Sequence, residues 1–345
     1  MGSRVVNLFM VYSPLHCLCA ELIVKHFESE ARNIVFYIRP TLKGYLNPEL
    51  WTDIEYHPWP RFDPEPGVFG RIRRTKSNLE MAAGYCHGAD QIRLHATVID
   101  TESINYHINY LRKRFPAADF RVRLFPDGTM NLRRHPQGIV HENLKRFRAV
   151  RRLLDSELHY YRFRGDRTGA DDRIVDRIYT LPGFPHEYDT GKVVELPPFV
   201  QGRSVQKSDE VLKRALVIGQ PLVVYGGMSR KGVKQVTQAI YEYLRAHGIE
   251  EIHYKSHPRD KKREYALDAY RELIIEEPLE QHLAHCAYGI VIGVCSTALL
   301  TSRMVLPEWC DVVSCGMNLM LFKNKQERLR YLKIFNQLSV KAIDA

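Results

Sequence analysis

The fold is decided by residues 5–38, VVNLFMVYSPLHCLCAELIVKHFESEARNIVFYI. The first part, Val5–Tyr12, is a continuous apolar run rich in β-branched and aromatic residues, which is typical of a strand buried on both faces. The pair Ser13-Pro14 then caps and starts a helix, and a second strand follows at Asn33–Ile38. This order of strand, helix and strand predicts a doubly wound parallel sheet.

The same alternation appears twice along the chain. Residues 181–206 are rich in Pro and Gly and lose the periodicity, after which strands, Leu222–Tyr225 among them, and helices alternate again. The pattern therefore predicts two Rossmann-like domains of α/β class that face across a cleft. We expect the first domain at 1–190, the second at 191–322, and a C-terminal helix at 323–345 that packs back on the first.

The composition indicates an ordinary globular protein. Of the 345 residues, 45% are hydrophobic and 26% charged, which excludes wholesale disorder. The seven cysteines are odd in number and include no Cys-x-x-Cys pair, so a disulfide framework or a zinc site is not expected. With no recognisable signal peptide and no apolar stretch long enough to span a bilayer, we expect a cytoplasmic protein.

The positive charge is concentrated in one segment. The chain carries a formal net charge of +10, and Arg112–Arg167 holds fifteen Lys or Arg against six Asp or Glu. A solvated basic face is the simplest interpretation, and a surface that contacts an anionic inner membrane or a charged saccharide is the functional one. Nucleic-acid binding is a further hypothesis, although no recognised RNA- or DNA-binding motif accompanies the basic residues.

Polar residues follow several predicted strands, where ligands bind in open α/β sheets. Asp127 is followed by Gly128 in a Pro-Asp-Gly sequence, which indicates either a plain turn or a general base. His257 and Pro258 follow a strand near Lys255, where an imidazole is either an ordinary loop residue or a hydrogen-bond donor to a phosphate.

Three further positions extend this pattern. Glu280 falls in the first turn of a predicted helix, where it complements the helix dipole or accepts hydrogen bonds from ribose. The pair Ser296-Thr297 begins the next helix, either as a simple cap or as an anion site. The pair Gly226-Gly227 makes a turn or lets the backbone approach a ligand. Together these positions predict a nucleotide-phosphate site.

These motifs resemble those of bacterial sialyltransferases: an acidic turn at Asp127-Gly128, a His-Pro loop at His257-Pro258, a ribose-binding Glu280 and a hydroxyl pair at Ser296-Thr297. Residues 7–15 and 125–131 look most like the lipooligosaccharide sialyltransferase family, which includes streptococcal capsule enzymes. The resemblance implies the two-domain GT-B architecture, an inverting mechanism, a CMP-activated sugar acid as donor and no metal.

The resemblance also implies a role for each motif residue. Asp127 matches the catalytic base that takes the proton of the acceptor hydroxyl, and His257 matches the residue that hydrogen-bonds or protonates the leaving CMP phosphate. Glu280 matches the ribose contact, and Ser296 with Thr297 matches the phosphate-binding pair.

The sequence departs from the family pattern at two points. Pro126 stands where the family has the first acidic residue of the turn, which bears on the acceptor geometry. Cys295 precedes Ser296 and Thr297, so that either hydroxyl is a candidate for the phosphate contact. Four more residues are assigned to contacts with donor or acceptor: Ser13, Asn131, Lys255 and Arg259.

The resemblance therefore implies an inverting, metal-independent sialyltransferase that moves sialic acid, or a related nonulosonic acid, from its CMP donor to a glycan hydroxyl, with galactose of a bacterial surface glycan as the expected acceptor. A GT-B transferase with another donor, CMP-Kdo or a UDP-hexose, is the alternative enzyme. A basic nucleic-acid-binding protein is the alternative outside enzymes.

Overall fold

The computed structural model describes residues 3–128, 134–138, 143, 148, 150, 153, 155–199, 206–257, 260 and 262–345. The chain divides into two compact units, Met1–Pro197 and Pro198–Ala345. Among the described helices, none is both long enough and apolar enough to cross a bilayer.

The first unit is built on one parallel sheet of seven strands, in the order β3-β2-β1-β4-β5-β6-β7. The strands are β1 (Val5–Val11), β2 (Arg32–Tyr37), β3 (Asp53–Tyr56), β4 (Gln91–Ala96), β5 (Asp119–Leu124), β6 (Val175–Thr180) and β7 (Val193–Glu195). The main helices are α1 (Pro14–Phe27), α2 (Gly70–Tyr85) and α3 (Glu102–Arg114). The order changes direction between β1 and β4, which is the switch point where such sheets bind ligands.

The opening stretch folds as its pattern predicts. Six of the seven β1 residues are buried, and Ser13 caps α1 with Pro14 in its first turn. Asn7 is the polar exception within β1, and its side-chain N–H donates to the side-chain oxygen Oδ1 of Asn33 at 2.8 Å. This bond gives the buried Asn7 side-chain nitrogen a partner and ties β1 to β2.

The second unit has a six-stranded parallel sheet, in the order β10-β9-β8-β11-β12-β13. Its strands are β8 (Arg214–Ile218), β9 (Glu251–Lys255), β10 (Arg271–Glu272), β11 (Ile290–Gly293), β12 (Asp311–Cys315) and β13 (Lys341–Ile343). Its helices are α4 (Asp209–Leu212), α5 (Arg230–Ala246), α6 (Leu279–His285), α7 (Thr297–Val305) and α8 (Lys325–Gln337). The switch point of this sheet lies between β8 and β11.

One prediction about this unit is wrong. The strand expected at Leu222–Tyr225 is a turn, with Val224 and Tyr225 58% and 59% exposed. The strand lies earlier, at β8, where four of the five residues are buried and the neighbouring strands β9 and β11 pair on either side.

The C-terminal stretch 323–345 lies within the second unit. Phe335 anchors α8 with no exposed surface, and β13 pairs with β12. This pairing satisfies the backbone of β12, which would otherwise be a sheet edge.

Candidate functional site

Asp127 follows β5 and lies against a histidine that no sequence motif singled out. Its Oδ1 atom is 2.8 Å from Nε2 of His16, in the first turn of α1. The His16 side chain is 2% exposed and that of Asp127 is 35% exposed. A buried imidazole therefore supports a carboxylate that solvent can reach.

The surroundings of His16 determine which ring nitrogen carries its proton. The backbone N–H of Tyr12 donates to His16 Nδ1 at 3.2 Å. In the neutral ring, the proton is therefore on Nε2 and is donated to Asp127. The Phe125 ring packs edge-on against the imidazole, at 5.5 Å between ring centroids. The Asp127 carboxylate is thus held by a donor of fixed position and fixed tautomer.

The other first-unit residues have structural roles or lie outside the description. Ser13 accepts a hydrogen bond from the backbone N–H of His16 at 3.3 Å, as the cap of α1. Gly128 has φ of 59°, a left-handed conformation that favours glycine directly after Asp127. Asn131 lies outside the described residues, as do Pro258 and Arg259 of the second unit.

In the second unit, the loops after β8 and β11 are joined across the switch point. The Gln220 side chain donates to the Cys295 carbonyl at 3.2 Å and accepts from the Cys295 N–H at 3.1 Å. Ser296 then caps α7 by accepting from the Ala298 N–H at 3.2 Å, and Thr297 is the first helical residue. Gln220 therefore fixes the backbone that leads into the expected phosphate site.

Glu280 is brought to the same pair of helices. It lies in the first turn of α6, is 7% exposed, and accepts a hydrogen bond from the Thr301 hydroxyl of α7 at 2.7 Å. Burial raises the pKa of the Glu280 carboxyl, and the bond from Thr301 opposes that effect. The predicted ribose contact and the predicted phosphate contacts therefore lie on two helices that are bonded to each other.

His257 lies two residues beyond the end of β9, in a partly buried position. Its carbonyl oxygen accepts from the Asp260 N–H at 2.8 Å, which turns the loop. Lys255 ends β9, and its carbonyl accepts from the Gly219 N–H at 2.9 Å, so that the ends of β8 and β9 are side by side. Burial lowers the pKa of the Lys255 ammonium.

The Gly226-Gly227 pair forms a tight turn between β8 and α5. Gly226 has φ of 66°, and the Gly227 N–H donates to the Leu222 carbonyl at 2.8 Å. Glu264 accepts from the N–H groups of Val223 and Val224, at 2.7 and 3.2 Å. The glycines thus have a structural role in this loop, and their contact with a donor stays a prediction.

One protein-family model matches part of the second half of the chain. Residues 184–308, more than a third of the chain, match the family model described as alpha-2,8-polysialyltransferase. The matched range includes His257, Glu280, Ser296 and Thr297, and it excludes Asp127. No curated protein matches the chain.

Several solved structures share the fold at low identity. The glycotransferase of kitacinnamycin is 8% identical, with a TM-score of 0.53 over 100% of this chain and 87% of that one. An Arabidopsis thaliana UGT complexed with UDP-L-rhamnose is 9% identical, with a TM-score of 0.50 over 99% and 84%. A spinosyn rhamnosyltransferase complexed with thymidine diphosphate is 13% identical, with a TM-score of 0.50 over 99% and 86%. The expectation of a GT-B fold is confirmed.

Proposed function

We propose that this GT-B sialyltransferase moves sialic acid, or a related nonulosonic acid, from a CMP donor to a glycan hydroxyl, with inversion and without a metal. The observation that carries the proposal is the Asp127 carboxylate, held 2.8 Å from the buried His16 imidazole at the end of β5. A carboxylate in this position is a suitable general base. The match over 184–308 supports the donor side of the reaction.

The proposed step forms one bond and breaks one. The acceptor hydroxyl oxygen attacks the anomeric carbon of the sugar acid, and its proton passes to Asp127. The bond between that carbon and the CMP phosphate oxygen breaks, and its electron pair leaves with CMP. His257 donates a hydrogen bond or a proton to the departing phosphate, assisted by the hydroxyls of Ser296 and Thr297 and the amides at the start of α7.

The leaving group explains why a metal is not required in this scheme. CMP leaves as a phosphate monoester with one phosphate, whereas a UDP-sugar releases a diphosphate with more charge to neutralise. One imidazole, two hydroxyls and a helix N-terminus are suited to the smaller charge. Lys255 is proposed to lie near the carboxylate of the sugar acid.

Two sugar hydroxyls are candidate acceptors in this reaction. The motif resemblance favours galactose of a bacterial surface glycan, and the name of the matched family favours the 8-hydroxyl of a terminal sialic acid. Since Asp127 lies outside the matched range, the match bears more on the donor than on the acceptor. We propose galactose, and parallel assays with a galactoside and its sialylated derivative distinguish the two.

We further propose a cytoplasmic enzyme that contacts the inner membrane through the basic segment Arg112–Arg167. The described residues include all seven cysteines, and none of them forms a disulfide, as suits a reducing compartment. Cosedimentation with vesicles containing anionic lipid tests the membrane contact. Equal sedimentation with neutral vesicles, or none with either, would contradict it.

Calorimetric titration with CMP, and with UDP as the paired control, tests the nucleotide specificity in buffer containing EDTA. Binding of CMP without binding of UDP is the expected result. Binding of UDP would favour a hexosyltransferase, and binding of neither would favour the nucleic-acid-binding alternative. Comparing CMP-sialic acid with CMP-Kdo in a transfer assay then separates the two cytidine donors.

His16 is expected to act as a positioning residue for Asp127. We predict that His16→Ala lowers kcat about 10- to 100-fold, because an unsupported carboxylate leaves its productive position. CMP affinity should not change, and His16→Gln should recover part of kcat because its amide can donate to Asp127. Steady-state kinetics and thermal unfolding of both variants check this, and an unchanged kcat in His16→Ala would contradict it.

Glu280 is expected to contribute to nucleotide affinity. We predict that Glu280→Gln weakens CMP binding roughly 10- to 100-fold, because a hydrogen bond to a charged acceptor is worth about 1.5–3 kcal/mol. The Gln carbonyl still accepts from Thr301, so the helix contact is kept. Glu250→Gln is the control, because Glu250 is exposed and lies just before β9. Equal CMP affinity in both variants would exclude the ribose role.

A further inference from the structure

Outside the proposed reaction, three side chains around α6 form a compact cluster of metal-ligand type. One ligand atom from each of Glu277, His282 and His285 lies within 4.8 Å of the others. Oε1 of Glu277 is 3.0 Å from His285 Nε2 and 3.4 Å from His282 Nδ1. The two histidines are three residues apart on one helix, so they share a face.

A chain of hydrogen bonds indicates which nitrogen of His282 has the lone pair. Glu251 accepts from His253 Nε2 at 2.9 Å, which makes Nδ1 the acceptor of the neutral ring. The Tyr288 hydroxyl, 3.1 Å away, donates to that Nδ1. The Tyr288 oxygen then accepts from His282 Nε2 at 3.3 Å. In this arrangement, with both imidazoles neutral, the lone pair of His282 is on Nδ1, which faces Glu277.

Two acceptor atoms, His282 Nδ1 and Glu277 Oε1, thus lie 3.4 Å apart. Two such atoms repel unless a proton or a metal cation lies between them. In a tetrahedral zinc site with bonds of about 2.0–2.2 Å, ligand atoms are separated by roughly 3.4 Å. The observed separations of 3.0 and 3.4 Å need little adjustment to reach that geometry.

The geometry points to a binding site for one divalent transition-metal ion of the Zn²⁺ type at Glu277, His282 and His285. Two imidazoles and one carboxylate suit Zn²⁺ and its neighbours, whereas Mg²⁺ and Ca²⁺ prefer oxygen ligands alone. Tyr288 is the outer partner that orients His282, as such partners do in known metal sites. The fourth ligand is water.

The bound ion ties residue 277, which precedes α6, to the helix that carries Glu280. It takes no part in the transfer step, in which a metal has no role. The site rests on its three ligand side chains and on the hydrogen-bond chain that orients His282, and it stands whether or not the chain binds CMP.

Metal binding is tested on the full chain, stripped with EDTA and then freed of chelator. Calorimetric titration with ZnCl₂ should give one ion per chain, and Co²⁺ should give the visible absorption of a tetrahedral site. We expect His285→Ala, a change at a half-exposed side chain, to lower zinc affinity at least tenfold and to remove the Co²⁺ spectrum. His87→Ala removes an exposed imidazole in the other unit and should leave both unchanged.

A second variant separates ligation from folding. Glu277→Gln should weaken zinc binding at least tenfold, because a neutral amide is a poorer zinc ligand than a carboxylate, while the metal-free protein keeps its unfolding temperature because this side chain is 35% exposed. Failure of the wild-type chain to bind zinc stoichiometrically would overturn the site, as would equal zinc affinity in wild type and His285→Ala. The CMP titration in EDTA reports on the proposed function independently.

Discussion

Asp127→Asn is expected to lower the rate of transfer by about 10²- to 10⁴-fold and to leave CMP affinity unchanged. The amide oxygen of Asn still accepts the hydrogen bond from His16 Nε2, so the turn after β5 keeps its structure. An amide, however, does not take a proton from an acceptor hydroxyl near neutral pH. Transfer from CMP-sialic acid to a galactoside and calorimetric CMP binding are measured on the same preparation.

Asp119→Asn provides the matched control for this prediction. Asp119 begins the strand that Asp127 follows, and its carboxylate pairs with Arg93 and Arg121 at 3.1 and 3.0 Å. The chemical change is the same at the opposite end of β5, so activity should be retained. Turnover of Asp127→Asn at the wild-type rate would remove Asp127 from the mechanism.

His257→Ala is expected to lower kcat by about 10²- to 10³-fold, the usual effect of removing one donor to developing negative charge. His257 is partly buried, and the turn of its loop is closed by a backbone hydrogen bond. The Asp260 N–H donates to the His257 carbonyl oxygen at 2.8 Å. Removal of the imidazole therefore leaves that turn in place. The unfolding temperature should change little, and the kinetic effect should be large.

The control for His257 is His247→Ala. His247 is the exposed residue that caps the C-terminus of α5, four residues before β9 begins. It should keep full activity in the same transfer assay. If His257→Ala unfolds the protein or retains the wild-type kcat, the proposed contact with the leaving phosphate is wrong.

The sequence predicted the architecture well where hydrophobic runs were long. Val5–Tyr12 has enough consecutive apolar residues to identify a strand buried on both faces, and β1 is central in its sheet. The runs Leu222–Tyr225 and Arg214–Ile218 are both apolar, and local pattern alone selected the wrong one. Which of them is buried depends on neighbours far along the chain.

The sequence likewise predicted some residues of the candidate site and missed others. Glu280 and Ser296 were singled out because each lies just after a predicted strand or at a helix start, and the structure places them on α6 and α7. Gln220 was missed because its partner, Cys295, is 75 residues away. His16 was missed because a histidine in the first turn of α1 has no distinguishing neighbours in sequence.

The fold class and the residue types available for chemistry could be predicted from the sequence, since apolar periodicity and residues after strands are local properties. Which of those residues support one another depends on the tertiary structure. His16 and Asp127 are 111 residues apart in sequence. Their hydrogen bond forms because β1 and β5 lie on either side of β4 in a parallel sheet, so that the segments after both strands lie at the same end of the sheet. Burial, tautomer and charge at that pair follow from the packing of distant segments, which no local pattern contains.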